Sequence, residues 1–228
     1  MLPVKAALEN NAPAGTGVLK LDTTGGVAKS EVVMNGPFGT VSDFIGTDIT
    51  ISFDYFQQSG APLTTIAPAF KFTVFDADFV GDGFATFIYE PYYQIFADPA
   101  KPANSDPLKD LWTHVEIDLD NGFFWHTGIY GDPAAIDYDN TLNDWITQFG
   151  LEFENALIGQ LFFGIGSGTP DQVGYVDNVQ FTLGDFSPVY DFEVAAVPIP
   201  AALPLYGSGL ALMGFIGWRK RRRKLITV

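Results

Sequence analysis

Alternation of apolar and polar residues, broken every few positions by glycine, proline, asparagine or aspartate, narrows the folds open to this chain. It runs through VLKLD (18–22), SEVVM (30–34), DITISFDYF (48–56), AFKFTVF (69–75), FATFIYE (84–90), LWTHVEIDL (111–119), FFWHTGIY (123–130), LIGQLFFGIG (157–166) and VGYVDNVQFTL (173–183). A period of two puts successive side chains on opposite faces of a strand, so each run offers one face to a core and one to water. Turn formers such as Gly60-Ala61-Pro62 and the stretch from Pro99 to Pro107 separate the runs. With 21 Phe and 24 Gly among 228 residues, the expectation is an all-β sandwich of short strands. One short helix is expected over 139–149 (DNTLNDWITQF), capped by Asn140 or Thr141.

Charge and cysteine usage bound the chemistry. The chain holds 12 basic and 27 acidic residues, but six of the basic ones lie together at 219–224 and no acid follows Glu193. The body before them has 6 lysines, no arginine and 27 acids, a net charge of −21. Phosphate recognition needs clustered Lys and Arg, so nucleic acid is not an expected partner. Acidity of this degree keeps a protein soluble and favours divalent cations. There is no cysteine, hence no disulfide and no thiol chemistry. A Gly-x-Ser-x-Gly elbow and a phosphate-cradling P-loop are both missing from the sequence.

The C-terminus reads differently from the body. From Val194 to Trp218 no side chain is charged, and Arg219, Lys220, Arg221, Arg222, Arg223 and Lys224 follow without interruption. An apolar run closed by a basic cluster reads as a membrane-spanning helix whose basic end stays in the cytoplasm. Pro198, Pro200 and Pro204 place its start near Ala201, giving a helix over 201–218 of about 27 Å. The expected organisation is a β-sandwich domain over 1–187, a linker over 188–200, the helix over 201–218 and a basic tail over 219–228. The first residues, MLPVKAALENNAPAGTG, contain no apolar core of the length a secretory signal needs. A signal peptide encoded upstream is therefore expected.

These tail residues resemble a known signal. Val197-Pro198-Ile199-Pro200-Ala201, then Gly207-Ser208-Gly209-Leu210, then the basic cluster, are similar to the sorting domain of PEP-CTERM proteins of the VPLPA type. The resemblance covers about 28 residues, and Ile199 stands where many members carry Glu. It implies a bacterial exported protein, held in the inner membrane with its domain outside the cytoplasm. A membrane protease of the exosortase type would release it to the cell surface or extracellular matrix. A plain single-pass anchor is the alternative. In the body, GTGVLKLDTTGG (15–26), ITISFDYF (49–56) and GYVDNVQF (174–181) resemble jelly-roll carbohydrate-binding and galactose-binding-like modules. That resemblance implies a jelly-roll sandwich and a structural calcium held by an aspartate in the last strand, here Asp177. The competing reading is that Asp177 and Asn178 cap a strand end locally. Asp76, Asp78 and Asp82, with Gly81 and Gly83, form a second calcium candidate or a solvated acidic loop.

Asn121-Gly122 between two alternating runs is a strong signal for a two-residue type I′ hairpin. That register sets Asp120 opposite Phe123, Asp118 opposite Trp125 and Glu116 opposite Thr127, with Val115, Ile117, Leu119 and Phe124 on the other face. One side of the hairpin would carry three carboxylates beside two rings, the mixture that binds sugars through stacking and hydroxyl hydrogen bonds. Alternatively, the rings lie under a loop and the acids face water. His114 and His126 fall on opposite faces in this register and make no metal pair. Tyr89, Tyr92 and Tyr93 around Pro91 either stack on a ligand or fill the sandwich edge. Glu116-Ile117-Asp118-Leu119-Asp120 also resembles the Glu-x-Asp-x-Glu strand of family 16 glycoside hydrolases, with Asp at the third position. The sequence thus points to an exported surface or matrix protein that contacts polysaccharide or serves adhesion, without catalysis. A jelly-roll glycoside hydrolase using Glu116, Asp118 and Asp120, and a purely structural matrix protein, are the alternatives.

Overall fold

The computed structural model describes residues 12–15, 17–45, 49–76, 83–97, 106–128, 138, 140–166, 170–183, 187–190 and 192. The chain divides into two compact units, Met1–Glu193 and Val194–Val228. The second unit, which contains the expected sorting motif and membrane helix and the basic cluster, lies outside the described residues, as do Asp78 and Asp82. Among the described residues no helix is long and apolar enough to cross a membrane.

The first unit is an antiparallel β sandwich. Its strands are β1 (Leu19–Asp22), β2 (Ser30–Asn35), β3 (Ile49–Gln57), β4 (Ala69–Phe75), β5 (Phe84–Tyr89), β6 (Trp112–Ile117), β7 (Trp125–His126), β8 (Leu157–Ile165), β9 (Val173–Leu183) and β10 (Val189–Tyr190). One sheet runs β1-β9-β3-β6, with β10 also paired to β9; the other runs β2-β8-β4-β5-β7. Each alternating run contributes a strand, although of the run 123–130 only Trp125–His126 is strand among the described residues. Phe53 from the first sheet meets Phe163 from the second at 5.0 Å between ring centroids, and Phe163 also meets Phe70 at 5.5 Å. Phe70 in turn reaches Phe181 across the layers at 5.9 Å. All four rings are essentially inaccessible to water. Edge-to-face and tilted contacts of this kind add specificity to burial.

Among the described residues three short α-helices accompany the sheets: α1 (Val41–Phe44), α2 (Leu142–Phe149) and α3 (Leu151–Glu154). Helix α2 begins where capping chemistry places it. The Thr141 side chain accepts from the Asp144 N–H while the Asp144 carboxylate accepts from the Thr141 N–H, a reciprocal capping box. It buries Leu142, Trp145 and Ile146, and the Trp145 indole N–H donates to the Phe124 carbonyl at 2.8 Å.

The expected hairpin at Asn121-Gly122 does not form. Strand β6 pairs with β3 in the first sheet, whereas β7 pairs with β5 in the second. The turn is real: Gly122 has φ 97°, and a Cβ there would lie 2.9 Å from Ile117 Cγ2. Yet the chain leaving it crosses the sandwich. Other acceptors take the hydrogen bonds a hairpin would have used. The Phe123 N–H donates to Gln94 Oε1 at 2.7 Å and the Phe124 N–H to the Asn140 carbonyl at 2.9 Å. Phe124 then enters the core opposite Ile117 rather than beside it, with neither exposed.

Phe163→Ala would remove the ring that joins both layers, leaving a cavity among Phe53 and Phe70. Urea denaturation should show a loss of about 3–5 kcal/mol. A loss under about 1 kcal/mol would mean that the interlayer contact carries little of the stability.

Candidate functional site

Residues that alternate with the core rings project from the outer face of the second sheet, and there they line a cleft of about 410 Å³. Its floor follows from register. Across the strands, Val33 faces Phe162, Phe162 faces Lys71, Lys71 faces Ile88 and Ile88 faces Trp125. The neighbouring row is Glu31, Gly164 and Ala69, with Glu90 following β5 directly. Tyr92 and Tyr93, in the 3-10 turn Pro91–Ala97, form the rim beside Trp125. Their rings meet edge-on at 4.9 Å, and Tyr93 stacks on Tyr138.

Two carboxylates stand in this cleft in different electrostatic settings. Glu31 crosses the sheet and pairs with both Lys71 and Lys29. Its path depends on Gly164, where a Cβ would lie 2.6 Å from Glu31 Cγ. Burial alone would raise the Glu31 carboxyl, but hydrogen bonds from Lys29 and Lys71 outweigh it and hold the group below its ordinary value. Glu90 accepts from the Trp125 indole N–H at 3.2 Å, which fixes the ring's orientation. Burial pushes Glu90 above its ordinary value, against the opposing effects of the Trp125 hydrogen bond and the Lys71 charge. Ring faces, a half-buried acid, an ion pair and the hydroxyls of Thr86 and Thr127 thus share one concave surface.

The structure separates the residues that the hairpin reading brought together. Trp125 lies in the cleft, half-buried, with Phe123 just before it and held through Gln94. Glu116 is exposed on β6, on the outer face of the opposite sheet. The β6 strand ends at Ile117, so the three acids do not alternate along one strand. Asp118 instead accepts from the Asp120 N–H at 2.8 Å, and Asp120 accepts from Asn143 at 3.0 Å. These two carboxylates brace the turn and the start of α2. Tyr89 fills the core, while Tyr92 and Tyr93 line the cleft.

Asp177 is completely buried on β9, opposite Asp54 of β3. The register slips there, and Asn178 takes φ 49°, so the Asp177-Asn178 pair forms a bulge. Asp177 Oδ2 accepts from the Ala14 N–H at 2.9 Å. The two oxygens of Asp54 accept from Asn178 and contact His114 Nδ1, each at 2.9 Å. Asp54 and Asp177 are thus held by hydrogen bonds to backbone and neighbouring side chains. Among the described residues no group of three His, Cys, Asp or Glu side chains is placed to hold a metal ion. Asp76 follows β4, its N–H bonded to the Gly83 carbonyl at 3.2 Å.

Sequence reasoning missed Glu31, Lys71 and Glu90. Each sits on an outward position of its run, but β8 has to lie between β2 and β4 before Glu31 and Lys71 can meet. No local pattern reports that insertion. The chain matches no protein-family model and no curated protein.

Glu90→Gln tests the electrostatic reading, since Gln retains an acceptor for Trp125. A carboxyl raised in the folded state stabilises fully below its unfolded pKa, and that contribution is lost as pH rises through the folded value. The variant should therefore match wild type below about pH 4 and gain on it steadily at higher pH. A stability difference independent of pH would show that Glu90 is not desolvated.

Proposed function

We propose that the chain is an exported bacterial surface or extracellular-matrix protein whose jelly-roll domain binds polysaccharide through this cleft. The observation that carries the reading is the Trp125 ring, half-buried, oriented by Glu90 and flanked by Tyr92 and Tyr93. A sugar's C–H face stacks on such a ring while its hydroxyls exchange hydrogen bonds with carboxylate, ammonium and threonine groups. The C-terminal segment, with its Pro-Ile-Pro motif, uncharged run and basic end, supports sorting by an exosortase-type protease after a stay in the inner membrane. Calcium is proposed only as a stabiliser of the aspartate loops, and the cleft reading does not depend on it.

Affinity electrophoresis of residues 1–193 against a polysaccharide panel tests the proposal, with calcium and with a chelator. At least one neutral polysaccharide should retard the domain, and Trp125→Ala should abolish the retardation. Retention lost on chelation alone would assign the aspartate loops as calcium sites. Release of reducing sugar, lost in Glu116→Gln, would favour a glycoside hydrolase. A folded domain that nothing retards would favour a structural matrix protein.

A further inference from the structure

We propose that the outer face of the second sheet holds an internal stretch of a linear, uncharged polysaccharide, running along the strands from the Trp125 cleft to a second ring platform formed by Phe75 and Phe84. This rests on the cleft being a sugar site and extends it by a separate observation. Phe75 and Phe84 face each other across β4 and β5, their rings 6.0 Å apart, and remain 36% and 43% exposed. Leu157, opposite Phe75, is 40% exposed as well. The Phe75 ring lies down against the sheet because Gly159 has no side chain; a Cβ there would come within 2.6 Å of the ring. Strand β8 slips register at that point, between the positions facing Thr73 and Val74. The platform is therefore a shaped surface, not a stray ring.

Between the two platforms runs a polar row. Gln160 donates to Asn35 at 3.0 Å, Thr73 and Thr86 share a hydrogen bond of 2.9 Å, and the Thr127 hydroxyl accepts from the Thr86 N–H at 3.0 Å. From Ile88, beside Trp125, to Phe84 the distance along β5 is about 14 Å at the usual rise per residue. A terminal sugar would need only the cleft. Rings at both ends of a row of amide and threonine groups suit a chain of linked sugars that presents C–H faces and hydroxyls in turn. A bilayer surface needs a continuous apolar face, and the polar row interrupts this one. A second copy would bring together two bodies that each carry −21. Charge also selects within the polysaccharides. Lys29 and Lys71 offset Glu31 and Glu90 in the cleft, so no net positive charge is left to attract a polyuronate to an acidic body.

Calorimetric titration of the full chain in detergent tests this, using cello-, laminari- and malto-oligosaccharides from disaccharide to hexasaccharide, with oligogalacturonates as the charged comparison. In the neutral series that binds, affinity should rise with length. Phe84→Ala should weaken the hexasaccharide roughly tenfold and leave the disaccharide unchanged, whereas Trp125→Ala should weaken both. Oligogalacturonates should not bind at low salt. Length-independent binding that is lost in Trp125→Ala would overturn the second platform and leave the cleft reading standing. Equal binding of oligogalacturonates would overturn the uncharged class. Self-association abolished by Phe84→Ala, without length-dependent sugar binding, would give the face to a second copy. Absence of binding in every neutral series would sink both this proposal and the reading beneath it.

Discussion

The contact on which the rest depends is the layer of rings between the sheets, where Phe53 and Phe181 of one meet Phe70 and Phe163 of the other. Because strand side chains alternate, each ring that enters the core fixes which neighbour must leave it. Phe70 and Phe72 inward means Lys71 outward; Phe87 and Tyr89 inward means Ile88 outward. A slip of one residue in β4 would bury Lys71 and expose three aromatic or branched side chains. Burying an unpaired ammonium costs several kcal/mol, so the core and the outer face hold each other in register. The cleft is a consequence of that packing, built on strands rather than on mobile loops.

Much of this was legible in the chain. The run 69–75 became β4 and the run 173–183 became β9 without change of boundary; the first alternates throughout, and the second alternates on either side of the Asp177-Asn178 bulge. The helix after Asn140 was legible from its cap. What failed was pairing. Asn121-Gly122 correctly marks a sharp turn, but a turn does not state which sheet receives the next strand. Here Gln94 accepts from the Phe123 N–H and the Asn140 carbonyl from the Phe124 N–H, and these partners, distant in sequence, draw the chain across. The site was legible in one residue, Trp125, and in the tyrosines after Pro91. Glu31 and Lys71 are 40 positions apart and meet only over Gly164 of a third strand. Local periodicity carries no trace of such a contact.

The electrostatics of the cleft favour holding a ligand over transforming it. A general base works best with a pKa near the operating pH and a lone pair free to take a proton. Glu31 is held low by two lysines that occupy both of its oxygens. Glu90 is raised by burial, but it already serves Trp125. Inverting and retaining hydrolysis both need two carboxyl groups facing one scissile bond, and the Glu116 series is broken by the end of β6 and the turn that follows. The same arrangement is well made for recognition. The Glu31–Lys71 pair satisfies itself in the absence of ligand, so the floor stays rigid and its charge stays neutral. Glu90 fixes the orientation of the Trp125 ring, on which the proposed sugar would stack. In a body of charge −21, a small neutral surface with fixed rings is one that the proposed uncharged chain could approach without displacing bound counterions.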